Sequence, residues 1–336
     1  MERNIIDILK EGLADRSLMP AISESGSKTS TNYLQLAADV ALVQKEIKAL
    51  GMEKGNTIGI CGKNTSLWAA SYLAVLCSGG TALLNDEKTG GADIKEILNS
   101  AGAQIMIADK NKLREVPDKM AGLALDKLSH ASLKGFNYRM LDFAEVDEDA
   151  AAICLYEKAG GKWSDTTLTH GTLTRCIDKC LKDSPCGEGT SVLATRPMAH
   201  SFGCIYDLLL PLVCGAHLHI HDGDAATWAL CEDLARLKPE YLCTNPATME
   251  RLVNSALNEP VGRNIPFGLR SVPLLGQFAG YIFRRKLLRA LGGKVKRIHL
   301  GGCTLNSNVE KLLRWSGIKF SVNYNMTIDG PQSYGN

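Results

Sequence analysis

The sequence predicts an α/β protein made of two lobes, each built around a parallel sheet. Short strands that are apolar on both faces recur along the chain, as in TIGIC (57–61), TALLN (81–85) and AAICLY (151–156). Helical patterns separate them, several closed by glycine. A strand apolar on both faces needs cover on both, which an open parallel sheet receives from its crossover helices. The length of 336 residues suits two lobes at roughly 150 residues per domain.

Each element has its own reason. Tyr33, Leu36, Val40, Val43, Ile47 and Leu50 step by three and four, which is one face of a helix, and Gly51 follows as its C-cap. TIGIC is the next strand, SLWAASYLAVLCSGG (66–80) an apolar helix ended by glycines, and TALLN the strand after it. DIKEILNSAG (93–102) reads as a helix leading into the strand QIMIAD (104–109). Residues 110–148 are more polar and give no clear order. Strands resume at AAICLY and continue as SVLAT (191–195), HLHI (217–220), EYLC (240–243), KRIHL (296–300) and IKFSV (318–322). Among the helices between them, AATWALCEDLARLK (225–238) places Trp228, Cys231, Leu234 and Ala235 on one face.

Composition narrows the function. Lys+Arg 38 against Asp+Glu 36 leaves a formal charge of +2, which offers no electrostatic footprint for nucleic acid and no basic tract for an anionic membrane. The longest apolar runs are too short to span a bilayer. MERNIIDILKEGLADR carries charges where a signal peptide needs an apolar stretch, so the expectation is a cytoplasmic protein. Eleven cysteines in a chain of this length do not make a disulfide scaffold, and Cys61, Cys77, Cys154, Cys204, Cys214 and Cys243 lie in apolar segments as buried free thiols. The spacing of Cys176, Cys180 and Cys186 does not match the common zinc patterns. His217, His219 and His221 alternate along a strand, but about 7 Å between like-facing residues is long for one small ion. No metal ligand is assigned.

Four stretches could carry chemistry. YEKAGGKWSDTTLTHG (156–171) leaves a strand, holds Gly160–Gly161 and enters a helix near Thr172; a glycine turn there can present N–H groups to phosphate, although no Walker loop is present. In RPMAHSFGCIYDLLLPLVCGA (196–216), His200, Phe202 and Gly203 follow a strand end, where open α/β sheets bind ligands. HLHIHDGD (217–224) carries the alternating histidines. IHLGGCTLNSNVEKLLRWSGIKFSVNYNMTIDGP (298–331) reads strand, Gly301–Gly302, helix, Gly317, strand, with Thr327 and Asp329 just past the strand end. Paired glycines let a flat ligand approach the backbone.

Taken together, the stretches resemble the large N-terminal domain of the AMP-forming acyl-CoA synthetases, most of all their long-chain fatty acid branch. The resemblance runs from about residue 30 to 336 and is most specific over FRRKLLRALGGKVKRIHLGGCTLNSNVEKLLRWSGIKF (283–320). RPMAHSFG is similar to the family's LPLxHxFG, and YNMTIDGP to its YGMTExxP. The resemblance implies lobes of about 64–192, and of 15–60 joined to 195–336. It implies activation of a carboxylic or fatty acid with Mg-ATP to an acyl-adenylate, then transfer to coenzyme A. It also assigns roles: Gly301, Gly302 and Cys303 line the adenine site with Tyr324, Asn325 and Met326 beside it, and Thr327 contacts the α-phosphate. Gly160 and Gly161 belong to the phosphate loop. His200 sits by the acyl carboxylate, with Phe202 and Gly203 toward the acyl chain, and His200 and Thr327 are the implied catalytic pair.

Departures from the family pattern concentrate on phosphate and metal. Its phosphate loop is a Ser/Thr/Gly run followed by Pro-Lys-Gly, where this chain reads EKAGGKWSDTT (157–167). Trp163 and Ser164 stand at the Pro and Lys, and Lys158 and Lys162 are cations in different places. Ile328 replaces the metal-holding Glu, and alternation along the strand would turn Asp329 away from the site. The family's hinge, ribose-binding Asp and C-terminal domain with its catalytic Lys would lie beyond Asn336. These departures predict weakened nucleotide handling with an impaired ligase reaction. Alternatively, the chain is a piece of an active ligase with an unorthodox loop, or the fold serves a non-catalytic protein that binds acyl chains or a partner.

Overall fold

Local sequence signals set most element ends. The computed structural model describes residues 4–14, 16–27, 30–117, 120–159, 162–183, 186–221, 227–257, 273–327 and 330–335. The first elements are α1 (Ile5–Ala14), β1 (Pro20–Glu24), β2 (Ser30–Asn32), α2 (Tyr33–Ala49), β3 (Thr57–Cys61), α3 (Ser66–Cys77), β4 (Thr81–Asn85), α4 (Gly91–Ser100), β5 (Ile105–Ala108), α5 (Lys110–Leu113), β6 (Ala121–Ala124), β7 (Ala151–Ala159) and β8 (Lys162–Thr169). There follow α6 (His170–Asp183), β9 (Ser191–Ala194), a π-helical stretch Gly203–Leu209, α7 (Leu210–Val213), β10 (His217–Ile220), α8 (Thr227–Leu237), β11 (Tyr241–Thr244), α9 (Pro246–Leu257), α10 (Pro273–Ala290), β12 (Arg297–Gly301), α11 (Ser307–Ser316), β13 (Lys319–Thr327) and β14 (Gly330–Gly335).

Two compact units divide the chain. Unit 1 holds Met1–Gly189 and Pro197–His217, and unit 2 holds Thr190–Arg196 and Leu218–Thr327. This division counts residues 15–60 within unit 1. Among them β3 lies between β4 and β5 in a six-stranded sheet, and α2 packs on α3, while β1 and β2 pair with each other and follow β10 in the eight-stranded sheet.

The sheet of unit 1 runs β6-β5-β3-β4-β7-β8. Its pairs are parallel except β7–β8, so an antiparallel edge strand closes an otherwise parallel sheet. α3 is buried nearly all round, as its uniformly apolar sequence requires, and Thr65 caps it by accepting the Trp68 N–H at 3.1 Å. α4 turns Ile94, Ile97 and Leu98 inward against Met106 and Cys154. In α2 the expected stripe of Tyr33, Leu36, Val40, Val43 and Ile47 is buried. The stripe ends there: Leu50 is the C-cap, and Gly51 follows with φ +91°, in the left-handed region that glycine enters without strain. The polar stretch after residue 110 resolves into α5, β6 and two short 3₁₀ turns at Leu125–Lys127 and Tyr138–Met140. Asp39 of α2, fully buried, anchors part of it by accepting hydrogen bonds from His130 Nδ1 and the Ala131 N–H, each at 2.7 Å.

In unit 2 the strand order is β14-β13-β12-β11-β9-β10. β9, β11, β12 and β13 pair in parallel. The core gathers Leu230 and Leu234 of α8, Leu252 of α9, Leu287 of α10 and Leu312 of α11 around Ile298 and Phe320. The face expected for α8 is corrected here. Trp228 is 66% exposed, and Ala235 is exposed. Leu230, Leu234 and Leu237, stepping i, i+4, i+7, carry the packed stripe instead, and Cys231 packs against its flank. A second correction concerns β13, which continues through Tyr324 to Thr327, so Thr327 is its last residue rather than one beyond it. Ile328 and Asp329 lie outside the described residues.

The cysteines expected to be buried are buried, and among the described residues all are free thiols. Burial raises Cys61 and Cys77 to about 12. The alternating histidines have separate partners: His217 Nε2 meets Ser23 Oγ at 2.8 Å, and His221 Nδ1 meets Asp233 at 2.7 Å. Among the described residues no group of three or more His, Cys, Asp or Glu is placed to hold a metal ion, and no helix is long and apolar enough to cross a membrane.

Candidate active site

In unit 1 β4 and β7 run side by side in parallel, and a cleft of about 170 Å³ opens where β4 ends beside the middle of β7. Parallel sheets bind ligands at this edge. Asn85 ends β4 and Asp86 follows it, Tyr156 and Glu157 come from β7, Trp163 comes from β8, and His200 and Ser201 also line the cleft.

Backbone bonds hold His200 at the mouth. Its N–H reaches Pro197 O at 3.2 Å, and its own carbonyl accepts from the Cys204 N–H at 2.9 Å, an α-type bond that leads into the π-helical stretch. The Met198 N–H donates to Asn64 Oδ1 at 3.0 Å. Gly203 is required sterically: a Cβ there would lie 2.0 Å from Pro197 O. Phe202 is buried and stacked on Tyr206 at 6.0 Å. His200 therefore faces the cleft, while Phe202 and Gly203 build the support behind it.

The expected glycine turn between strand and helix is instead a hairpin. β7 runs on to Ala159, β8 returns from Lys162, and Ala159 pairs with Lys162. Only after β8 does the chain enter a helix, α6, at His170. Gly160 and Gly161 lie outside the described residues. Hairpin register sets Lys158 opposite Trp163 on one face. There the Lys158 ammonium sits 5.2 Å from the Trp163 ring centroid and 3.0 Å from Asp93 Oδ1, while Trp163 Nε1 donates to the same oxygen at 3.3 Å. The hydrogen bond from Lys158, aided by that from Trp163, holds the Asp93 carboxyl below the usual carboxylate range. Lys158 is thus satisfied by the protein itself, and Glu157 is among the residues lining the cleft.

In unit 2, Gly301 ends β12 opposite Asn323 of β13, and the Gly302 N–H donates to Asn323 O at 3.1 Å. This brings Gly301–Cys303 beside the start of Tyr324–Thr327. Gly302 has φ +102°, and among the described residues nothing lies within 4 Å of a Cβ built there. Cys303 is exposed. The backbone of Tyr324, Asn325, Met326 and Thr327 is extended in β13. Two residues before Gly301, His299 is buried, stacked on Tyr241 at 5.8 Å and bonded to Ser321 at 3.0 Å. Burial, with Arg297 and Arg196 adding, lowers it to about 3.

The family model for the AMP-binding enzyme matches residues 13–156 and 166–327. The chain belongs to that family. The match is interrupted at 157–165, which is the tip of the β7–β8 hairpin. Long chain acyl-CoA synthetase 1 of Arabidopsis thaliana is 26% identical over 338 residues, covering 84% of this chain and 49% of its own length. The long-chain-fatty-acid–CoA ligase ACSBG2 of Mus musculus is 21% identical, covering 77% of this chain and 44% of its own. The chain therefore spans about half the length of the curated relatives it matches. The N-terminal domain of FACL13 from Mycobacterium tuberculosis shares the fold, with a TM-score of 0.74 at 14% identity over 98% of this chain and 78% of that one.

Sequence reasoning missed Asp93, Asn85 and Asp86. Asp93 carried a signal only as an acid in a helix's first turn. That it serves the hairpin depends on α4 lying beside β7, a tertiary fact.

Proposed function

We propose that this chain is the nucleotide- and acyl-binding part of a fatty acid–CoA ligase of the long-chain type, with acyl-adenylate formation impaired. The observation that carries the proposal is the hairpin: the family match breaks at 157–165, and there Lys158 is engaged by Asp93 and Trp163.

The residues fit the two ends of the nucleotide unequally. Gly301 and Gly302 offer an open backbone edge beside β13, which suits a flat adenine ring, with Cys303, Tyr324, Asn325 and Met326 around it and Thr327 toward the α-phosphate. The triphosphate side fits poorly. Stabilising charge that develops on phosphate requires free donors, but Lys158 is occupied and Glu157 presents like charge. ATP would supply the adenylate and Mg²⁺ the charge neutralisation; coenzyme A would accept the acyl group. Of this chain's own groups, His200 is placed in the unit 1 cleft to orient a carboxylate, with Ser201 beside it. The free thiols suit a reducing compartment, and we place the protein in the cytoplasm on that ground.

The experiment is pyrophosphate exchange with ATP and a panel of fatty acids, paired with calorimetry of AMP. AMP binding with trace exchange is the expected result. Robust exchange with any fatty acid overturns the impairment. The engaged lysine also favours a second reading, a non-catalytic protein that keeps an acyl chain or a partner on this fold; it is preferred if acyl chains bind and neither nucleotide does.

A further inference from the structure

Eleven cysteines occupy the chain, and most of the described ones are buried. Two of them meet at a tie between connections. Cys186 follows α6 and Cys214 follows α7, and the Cys186 side chain lies within hydrogen-bonding reach of the Cys214 thiol. The backbone holds them together: the Gly189 N–H donates to Gly215 O at 2.8 Å, which ties the segment after Cys186 to the turn after Cys214. Tyr33 braces that turn, its hydroxyl donating to Ala216 O at 2.8 Å and Leu212 O at 3.2 Å. Arg16 closes the other side, with Nη1 on Val213 O at 3.1 Å and its guanidinium packed against Gly215, where a Cβ would come within 2.4 Å of Nε. Gly215 has φ +74°, a conformation that favours glycine. The two residues are 7% and 8% exposed, whereas Cys77 and Cys204 are wholly buried.

We propose that Cys186 and Cys214 form a peroxide-responsive dithiol, a modification site that closes to a disulfide between the α6–β9 and α7–β10 connections. The chemistry balances with hydrogen peroxide as oxidant. The Cys214 thiolate attacks one peroxide oxygen, the O–O bond breaks, and hydroxide leaves and is protonated to water. The resulting sulfenic acid at Cys214 is attacked by the Cys186 sulfur, which forms the S–S bond and expels a second water. The two sulfurs are oxidised by two electrons in all, the peroxide oxygens are reduced, and both thiol protons end in water. Cys214 is the attacking residue because the hydrogen bond with Cys186, with the Arg16 charge adding, lowers its thiol below the ordinary range, while burial alone raises Cys176 to about 11. The link would span the two places where the chain leaves unit 1, after Gly189 and after His217. It would stabilise unit 1 chiefly by shortening the unfolded chain.

The test is peptide mapping of the full chain after graded hydrogen peroxide, with alkylation before digestion and no reductant. The expected result is a linked pair of peptides carrying Cys186 and Cys214 with the loss of two hydrogens, reversed by a dithiol reductant, and a higher thermal midpoint in the oxidised form. Cys186→Ser should leave Cys214 as a sulfenic acid that a dione reagent traps. Since a serine variant could misfold, the wild-type map decides independently. If both peptides remain alkylated once the exposed Cys303 is fully oxidised, or if the link forms only after denaturation, the proposal is overturned.

Discussion

His170 offers a measurable link between burial and acid sensitivity. It opens α6, is 0% exposed, and among the described residues neither ring nitrogen has a hydrogen-bond partner. Burial lowers it from 6.5 to about 4, and its place at a helix N-terminus, where backbone N–H groups point outward, also disfavours a cation. The folded value lies below the unfolded one, so the unfolded chain binds the proton more readily. Stability from this group is complete above pH 6.5 and is lost as pH falls toward 4. Between about pH 7 and pH 4.5 the loss amounts to about 2–3 kcal/mol.

His170→Leu removes the titrating ring with a side chain of similar volume. It should leave stability at pH 7 equal or higher, since an unpaired buried donor is also removed. At about pH 4.5 the variant should exceed the wild type by about 2–3 kcal/mol. The assay is urea unfolding at several pH values, reading the difference between the two proteins. His299 titrates in the same direction, but it is present in both and cancels. Parallel acid losses in wild type and variant would refute the assignment, for then the ring is paired or hydrated in the folded state.

Other outcomes follow from the same geometry. Asp39→Ala strips the partner from His130 and the Ala131 N–H and should cost about 3 kcal/mol in urea unfolding. Gly203→Ala forces a Cβ against Pro197 O and should destabilise by about 1–3 kcal/mol, with His200 displaced, read as a lower denaturation midpoint. In calorimetry AMP should bind within tenfold of Mg-ATP; Mg-ATP tighter by more than that, about 1.4 kcal/mol, contradicts the reading of the hairpin. Asp93→Asn should free Lys158 and strengthen binding of inorganic pyrophosphate relative to the parent, which a binding titration would show.

How much was legible depends on which forces set each element. Strands β3 and β4 were read to the residue because a run apolar on both faces, bounded by turn residues, has few alternatives, and β10 because its alternation of His with Leu and Ile has the period of a strand. The α2 stripe was legible for the same reason. The α8 face was not: Trp228 and Leu230 begin competing stripes within one turn, and the three leucines outweigh one large ring at a helix end. Residues 110–148 were opaque because their order comes from a distant buried carboxylate, Asp39, rather than from local periodicity. In the candidate site, the glycines at 301–302 and His200 were legible as breaks at strand ends. The hairpin partner Asp93 was invisible, since 65 residues separate it from Lys158.

That distant pairing gives the loop's departures a common physical cause. A phosphate loop keeps its cation and donors unsatisfied by protein so that they are available to the ligand. Once hydroxyls give way to Glu157 and Ala159, an unpaired lysine on a hairpin face has no anion to meet. The register puts Trp163 across from it, and α4 supplies Asp93 alongside. Aromatic face, ammonium and carboxylate then satisfy one another, and indole N–H shares the same oxygen. Opening this arrangement for a triphosphate means separating the Lys158–Asp93 pair while Glu157 repels the incoming charge. On the proposed reading the adenine end meets no such conflict, because it rests on backbone: among the described residues nothing lies within 4 Å of a Cβ built on Gly302, and no charged side chain has to be released there.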